Sequence, residues 1–436
     1  MTSQTPAMHL PKGHTLMTMV QAPAARGTAV VAEKRQRIEQ AASITARNNG
    51  RLGPFGLIHL FVVEVVIGMA AGIYTVTMDA PTDQAVIWYA GGGVAALLLL
   101  VPVFARSGGV WLYQAIPMRR KLKARQRQLG LSQEPLHGLA PDLGIVGIVE
   151  RDTDIGIGHD DGGWFAGLAM GGIDGVTEAV PLDRLARLFT ESGVPVSAIQ
   201  VVGHTVPIGL AGHDGSPAAA SYQELLGGLP AVVHHTSWLA VRMNTEDAMD
   251  AATDRGGDVE GVHKALAVTV SRVGKLLRNA GVQNRVLDAD GLRDTLRESL
   301  GLTADVAGGQ QRTAEEWDRW HGDGLQHVVY RVAKWPGDES ALPHLIDVLA
   351  AVPAVFTTVS VTLRPGTVDT RDEDGRPTGR RVEVDCLARI AFDAHTAAAG
   401  VQRVQQAAEA LGARLERLDG EQGPAVYASA PTGGGT

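Results

Sequence analysis

The chain has 436 residues, 45% of them hydrophobic and 20% charged, which is the composition of an ordinary folded protein without a fibrous repeat. Its single cysteine, Cys386, excludes an internal disulfide framework and a cysteine-based metal cage. The net charge of −8 is unevenly distributed: residues 1–130 carry 14 Lys and Arg against 5 Asp and Glu, and the remainder carries 25 against 42.

The N-terminal part predicts a basic arm followed by a transmembrane hairpin. Residues 1–54 lack apolar periodicity and are interpreted as a largely disordered arm. Residues 55–105 contain two apolar runs, at about 55–76 and 86–104, and each is close to the roughly 20 residues that cross a bilayer as a helix. The short acidic link Asp79–Asp83 separates the two runs.

Positive charge flanks this hairpin on both sides and is absent from the link. Residues 106–143 are interpreted as a basic juxtamembrane linker, in which the run Arg119–Arg127 forms a helix or linker that serves as flanking charge. The positive-inside rule then places both termini in the cytoplasm. We expect a multi-pass protein of the inner (plasma) membrane, in contact with lipid and without a nucleic-acid partner.

One face of the first span carries an unusual combination of residues. Glu64, Gly68 and Gly72 recur at intervals of four and therefore share one side of the helix. An ionisable residue in a span generally faces protein or water, and two small residues at this spacing let another helix approach closely. The face is either a docking site for a partner span or the surface that packs against the second span, where Gly91–Gly93 also permit close approach.

Residues 144–430 are predicted to form an α+β cytoplasmic domain in two rounds. The first half, about 144–287, has strands at 163–170, 196–206, 236–243 and 282–287 and helices at 181–192 and 258–280. The second half, about 325–430, has strands at 325–334, 353–363, 380–391 and 413–418 and helices at 338–351 and 394–411. Both follow the β-α-β-β-α-β order of ferredoxin-like folds, so we expect two such halves or one composite sheet, bridged by a helical, acidic segment at 288–320.

Candidate chemical motifs in the domain are weak. Three Asp-x-Asp triplets could hold a divalent ion and a sugar nucleotide, although an acidic domain produces them by chance, and they start at Asp152, Asp288 and Asp372. Asp288 resembles a helix N-cap. His234 and His235 should point to opposite faces of a strand, and Trp317 and Trp320 should share one face of a helix. No P-loop and no G-x-S-x-G motif occurs, so we predict no catalytic, cofactor or metal site.

Five segments of the domain carry a family resemblance. They are Gly158-His-Asp-Asp-Gly-Gly-Trp-Phe-Ala-Gly-Leu168, Ser221-Tyr-Gln-Glu-Leu-Leu226, Thr236-Ser-Trp-Leu-Ala-Val-Arg-Met-Asn244, the long helix within Gly256–Val282, and Glu315-Glu-Trp317 before a strand. With the hairpin and its basic flanks, they resemble EccE, a membrane component of type VII (ESX) secretion machinery in actinobacteria. The resemblance spans roughly residues 55–365, and the long arm departs from it.

The resemblance implies a structural subunit that supports protein export without catalysis of its own. It also implies a hetero-oligomer with the EccB, EccC and EccD components, of which EccC is the ATPase. The alternative is a membrane-anchored glycosyltransferase-like enzyme of envelope synthesis, which the Asp-x-Asp triplets suggest.

Overall fold

The computed structural model describes residues 56–107, 110–129, 134–171, 180–189, 196–207, 233–253, 258–302, 313–336, 341–350, 352, 354–366 and 382–435. The predicted arm 1–54, the segment Ser221–Leu226 and the triplet at Asp372 lie outside these residues.

The first two helices form the predicted apolar hairpin. α1 (Leu57–Thr77) and α2 (Thr82–Phe104) are long and apolar enough to cross a membrane, and only 6% of the most apolar window of each is buried. That exposure is unlike the core helix of a water-soluble domain. α2 begins four residues before the predicted span, with Pro81 as its N-cap. Asp83 lies in its first turn, where a negative carboxylate stabilises the positive end of the helix dipole.

The basic linker is mostly helical. A two-residue pairing of β1 (Arg106–Ser107) with β2 (Val110–Trp111) leads into α3 (Leu112–Leu129), and α4 (Pro135–Leu139) follows. Leu122 and Leu129 of α3 are buried, so this helix packs on the domain as well as carrying charge.

The domain is an antiparallel-sheet α+β structure. Its strands are β3 (Gly144–Glu150), β4 (Thr153–Asp160), β5 (Gly163–Gly171), β6 (Ala198–Pro207), β7 (Val233–Met243), β8 (Gln283–Val286), β9 (Ala314–Glu315), β10 (Trp320–Gly322), β11 (Leu325–Lys334), β12 (Phe356–Pro365), β13 (Val382–Phe392) and β14 (Arg414–Arg417). Its helices are α5 (Leu182–Arg187), α6 (Thr245–Thr253), α7 (Val259–Asn279), α8 (Ala289–Leu300), α9 (Ala341–Ala350), α10 (Ala397–Ala410) and α11 (Gln422–Ser429).

All twelve strands belong to one sheet, as the composite-sheet alternative predicted. The order is β3-β4-β5-β7-β6-β12-β13-β11-β10-β9, with β8 also on β5 and β14 also on β11. The strands of the first predicted round therefore lie in the order β8-β5-β7-β6, and those of the second lie in the matching order β14-β11-β13-β12. The two rounds join where β6 pairs with β12 along Ile199–Thr205 and Thr357–Leu363.

The helices of both rounds cover one face of this sheet. α7 shows why the sequence predicts them: Val262, Leu266 and Val270 recur at helical spacing and are all buried, and the Asp258 side chain caps its N-terminus. They pack with Leu239 and Val241, alternate residues of β7. α9 and α10 cover the second round in the same way.

The opposite face is covered by α8, α11 and the residues after β14. Trp238 and Leu387 lie in this second core. The polar side chains of Gln200 and His204 are buried on the same face. Arg389 is fully buried there, and burial lowers its pKa to about 9. Burial and the nearby Arg389 charge lower the pKa of His204 to about 3, so its ring is neutral and hydrogen-bonds Thr358 at 2.9 Å.

Residues 419–435, here called the C-terminal clasp, lie buried across the joint between the two rounds. The side chain of Gln200 on β6 donates to Ala428 O at 2.7 Å and accepts from the backbone N–H groups of Gly433 and Gly434 at 2.9 Å. On the other round, Gln422 of the clasp accepts from Val329 N at 2.9 Å. The clasp is thus bonded to both rounds.

Gln200→Leu should destabilise the domain strongly, because it leaves three buried backbone groups of the clasp without partners. We expect a loss of about 3 kcal/mol in the free energy of unfolding, measured by urea denaturation with tryptophan fluorescence. Gln283→Leu makes the same change at an exposed position of β8 and should have little effect. Equal losses in the two variants would contradict the role of the clasp.

Candidate functional site

The predicted face of α1 points away from α2. Apart from His59 near its start, the residues of α1 that are partly or fully buried are Val62, Val66, Met69, Ile73 and Thr77. Glu64, Gly68 and Gly72 are exposed. A Cβ at Gly68 or Gly72 would meet no heavy atom within 4 Å. The alternative in which these two glycines pack against the second span is therefore wrong, and docking of a partner span stays a prediction.

The two spans instead approach at one glycine of α2. A Cβ at Gly92 would overlap the side chain of Ile73, whereas Gly91 and Gly93 face open space. Near the link, the hydroxyls of Thr77 and Tyr89 hydrogen-bond at 2.9 Å. Among Gly91, Gly92 and Gly93, Gly92 is therefore the glycine that lies against α1.

The end of the hairpin that is predicted to face the cytoplasm contains an aromatic cluster around His59. Its ring is 3% exposed and lies 5.2, 4.6 and 5.8 Å from the rings of Phe104, Trp111 and Tyr113. The cluster ties the start of α1 to the end of α2 and the start of α3. Since Glu64 is exposed, the two ionisable residues of the span do not share a face.

Beyond this cluster, α3 is fastened to the domain by a buried ion pair. Arg125 donates two hydrogen bonds of 2.8 Å to the carboxylate of Glu315, whose side chain is 1% exposed, and one of 2.7 Å to Gly420 O. Gln126 donates to the backbone oxygen of Glu315 at 2.7 Å. Bidentate pairs between Arg and a carboxylate are the strong, directional kind.

Glu315 also receives a hydrogen bond from the clasp. Its Oε1 accepts from Gly423 N at 2.9 Å, so one carboxylate joins α3, the edge strand β9 and the C-terminal clasp. Next to it, the guanidinium of Arg119 lies 5.3 Å from the ring centroid of Trp317, a cation–π distance. The interpretation of Arg119–Arg127 as flanking charge alone is therefore wrong, because Arg119 and Arg125 contact the domain.

We call this contact the junction: α3 with Glu315, Trp317 and Gly420. It gives a continuous chain of contacts from the apolar hairpin to the sheet.

Two segments that carry the resemblance meet at a second buried cluster. Asp160, from the 158–168 run, forms an ion pair with Arg242, from the 236–244 run. Tyr427 of the clasp donates to Asp160 at 2.8 Å, and Arg242 donates to Thr432 O at 2.7 Å. Burial and the Asp160 charge raise the pKa of Tyr427, which keeps its hydroxyl protonated as a donor.

The remaining sequence candidates take local structural roles. Asp152 lies with Arg151 in the positive-φ turn between β3 and β4, as expected for a hairpin turn. Asp288 accepts from Gly291 N at 2.7 Å and caps α8, as predicted. Among the described residues no group of three metal-ligating side chains occurs, and no observation there favours the glycosyltransferase alternative.

The histidine and tryptophan pairs differ in how they compare with the predictions. His234 and His235 are neighbours on β7, where successive side chains point to opposite faces, as predicted. His235 hydrogen-bonds Thr205 and Ser237 at 3.0 and 2.9 Å. The prediction that Trp317 and Trp320 share a helix face is wrong, because Trp320 lies on β10 and Trp317 precedes that strand. Sequence reasoning missed both the junction and the clasp. The only local signal was the Glu315-Glu-Trp317 segment, which belongs to the junction.

Arg125→Met should loosen α3 from the domain, because it leaves the buried Glu315 charge without its partner. We expect a loss of about 3–5 kcal/mol in stability and faster hydrogen exchange in α3. Lys121→Met, one turn earlier and exposed, is the control and should be near neutral. In the double variant Arg125→Met/Glu315→Gln, removal of the orphaned charge should recover part of the loss, and an undiminished loss there would refute the ion-pair argument.

Comparison with known proteins identifies one family. The family model described as "EccE: Putative type VII ESX secretion system translocon, EccE" matches residues 231–332. The matched range contains three of the resembling segments, Thr236–Asn244, Gly256–Val282 and Glu315–Trp317, and it includes the junction residue Glu315. No curated protein matches the chain. The predicted resemblance to EccE is thus confirmed over residues 231–332, the stretch of the domain from β7 to β11.

Proposed function

We propose that this chain is a structural subunit of a type VII (ESX) secretion complex in the inner membrane and supports protein export without catalysis of its own. The observation that carries the proposal is the EccE family match over residues 231–332. The junction supports it, because the matched segment supplies Glu315, to which the helix that follows the hairpin is attached.

The proposed partners are the EccB, EccC and EccD components, in a hetero-oligomer embedded in membrane lipid. The chain has no P-loop motif, so energy for export would come from another subunit. The face formed by Glu64, Gly68 and Gly72 is the proposed docking site for a partner span. Its support is that small residues with open space above them let a second helix approach closely.

Two further features of the architecture belong to this proposal. Each round of the sheet is proposed to be a ferredoxin-like unit, which the matching strand orders and the helices on one face support. The hairpin is proposed to span the membrane with both termini in the cytoplasm. The basic residues of α3 and the acidic link Asp79–Asp83 support that orientation.

The orientation can be tested with single cysteines, since native Cys386 is buried. Ala80→Cys in the link should react with a membrane-impermeant thiol reagent added to intact cells. Ala124→Cys on the exposed side of α3 is the control and should react only after permeabilisation. Labelling of Ala80→Cys from the cytoplasmic side alone would contradict the proposed topology.

Co-purification in mild detergent tests the complex and the docking face separately. The wild-type chain should recover EccB, EccC and EccD, and recovery of the chain alone would refute the proposed function. Gly72→Leu should lower the recovery about tenfold, because added bulk keeps the partner span away. Gly93→Leu is the matched control, since Gly93 of α2 also faces open space. Equal recovery of the partners in the two variants would reject the docking face but not the proposed function.

A further inference from the structure

The two ends of the twelve-stranded sheet differ in how they are covered. At one end α3 lies against β9, and Gln126 donates a hydrogen bond to the backbone oxygen of Glu315. At the other end β3 pairs with β4, and within the described ranges no strand pairs with its outer edge. An open edge presents unpaired backbone N–H and C=O groups, which other strands can bind.

The pairing pattern shows which backbone groups of β3 point outward. Gly147 of β3 lies opposite Gly156 of β4. The N–H of Gly156 donates to Leu287 O at 2.7 Å, away from β3, so Gly147 and Gly156 form a non-hydrogen-bonded pair. Since the pattern alternates along the strand, the N–H and C=O groups of Ile145, Gly147 and Val149 face the open edge.

β3 also lacks the features that usually protect an edge. The short outer strands β8 and β14 carry charged side chains, namely Arg285, Arg414, Glu416 and Arg417. In contrast, residues 145–149 read Ile-Val-Gly-Ile-Val without charge or proline. Val149 is 70% exposed and Val146 is 38% exposed, so apolar surface accompanies the free backbone groups.

The segment is complementary to itself. If two copies pair antiparallel with Gly147 opposite Gly147, Ile145 lies opposite Val149 of the second copy and Val146 lies opposite Ile148. The outward groups then form about six backbone hydrogen bonds, and only apolar side chains oppose each other. At the centre, glycine faces glycine without a side chain to clash. At the end of the strand, Glu150 lies opposite the neutral Gly144.

We propose that β3 pairs with β3 of a second copy of this chain, which joins two domains into one continuous sheet. The pairing adds a strand to an exposed edge, as in other β-augmentation contacts. It does not follow from membership of a secretion complex, and it would hold or fail independently of that function. Because the contact is short compared with ordinary interfaces, we expect it to form between copies held in the same membrane.

Register-specific cross-linking of the full chain in membranes tests this proposal. Val146→Cys and Ile148→Cys chains with different tags are co-expressed and oxidised. In the proposed register these positions form a non-hydrogen-bonded pair, whose separation of about 4.5 Å between Cα atoms suits a disulfide. We expect a mixed-tag product as the major cross-linked species. Each variant expressed alone should give little product, because only unlike positions face each other.

A blocking variant keeps the test sharp. Gly147→Pro, added to both cysteine chains, removes an N–H that points outward and is not needed for pairing with β4, so it should abolish the mixed-tag product while the β3–β4 hairpin persists. The buried Cys386 makes the wild-type chain the zero control. Absence of mixed-tag product, equal product from like positions, or cross-linking of Val146→Cys to a different protein would each overturn the pairing of two copies.

Discussion

Antiparallel pairing between β6 and β12 joins the two rounds of the domain, and it determines which surfaces must be covered. In each round this strand would otherwise be an exposed edge, so the pairing removes two edges at once. The product is a wide sheet whose helices cover one face. The other face would present Trp238, Leu387 and a buried polar layer to water if nothing lay on it.

The C-terminal clasp resolves that problem at the joint itself. Its backbone is held by Gln200 from one round and by Arg364 from the other, which donates to Gly434 O at 2.9 Å. Bonds to a backbone place the segment accurately without requiring large side chains, and the glycines fit where Thr362 and Arg242 leave no room for a Cβ. Positive φ values at Gly433 and Gly434 are compatible with this path only because glycine lacks a Cβ.

The same clasp reaches the junction through Gly420 and Gly423, so the attachment of the hairpin and the closure of the sheet are one connected network. Glu315 is central to it because a carboxylate that is 1% exposed needs several donors to compensate for lost hydration. Arg125 and Gly423 donate hydrogen bonds to this carboxylate. Gln126 donates to the backbone oxygen of Glu315 and so fixes the edge strand in place. The basic helix is therefore an integral part of the folded domain, and it also carries flanking charge on its exposed side.

Local pattern was enough to predict the hairpin, the long helix α7 and the element order of both rounds, because helix and strand periods and long apolar runs are properties of neighbouring residues. The spacing of Trp317 and Trp320 is typical of a helix, but the two residues lie on either side of a strand boundary, so the prediction from periodicity failed there. It also missed the clasp, since a stretch of glycine, alanine and threonine has no period. The open position of Gly68 and Gly72, the Arg125–Glu315 pair and the joint between β6 and β12 arise from contacts between residues far apart in the chain. Such contacts leave no periodic trace in the sequence, because they depend on how whole elements pack.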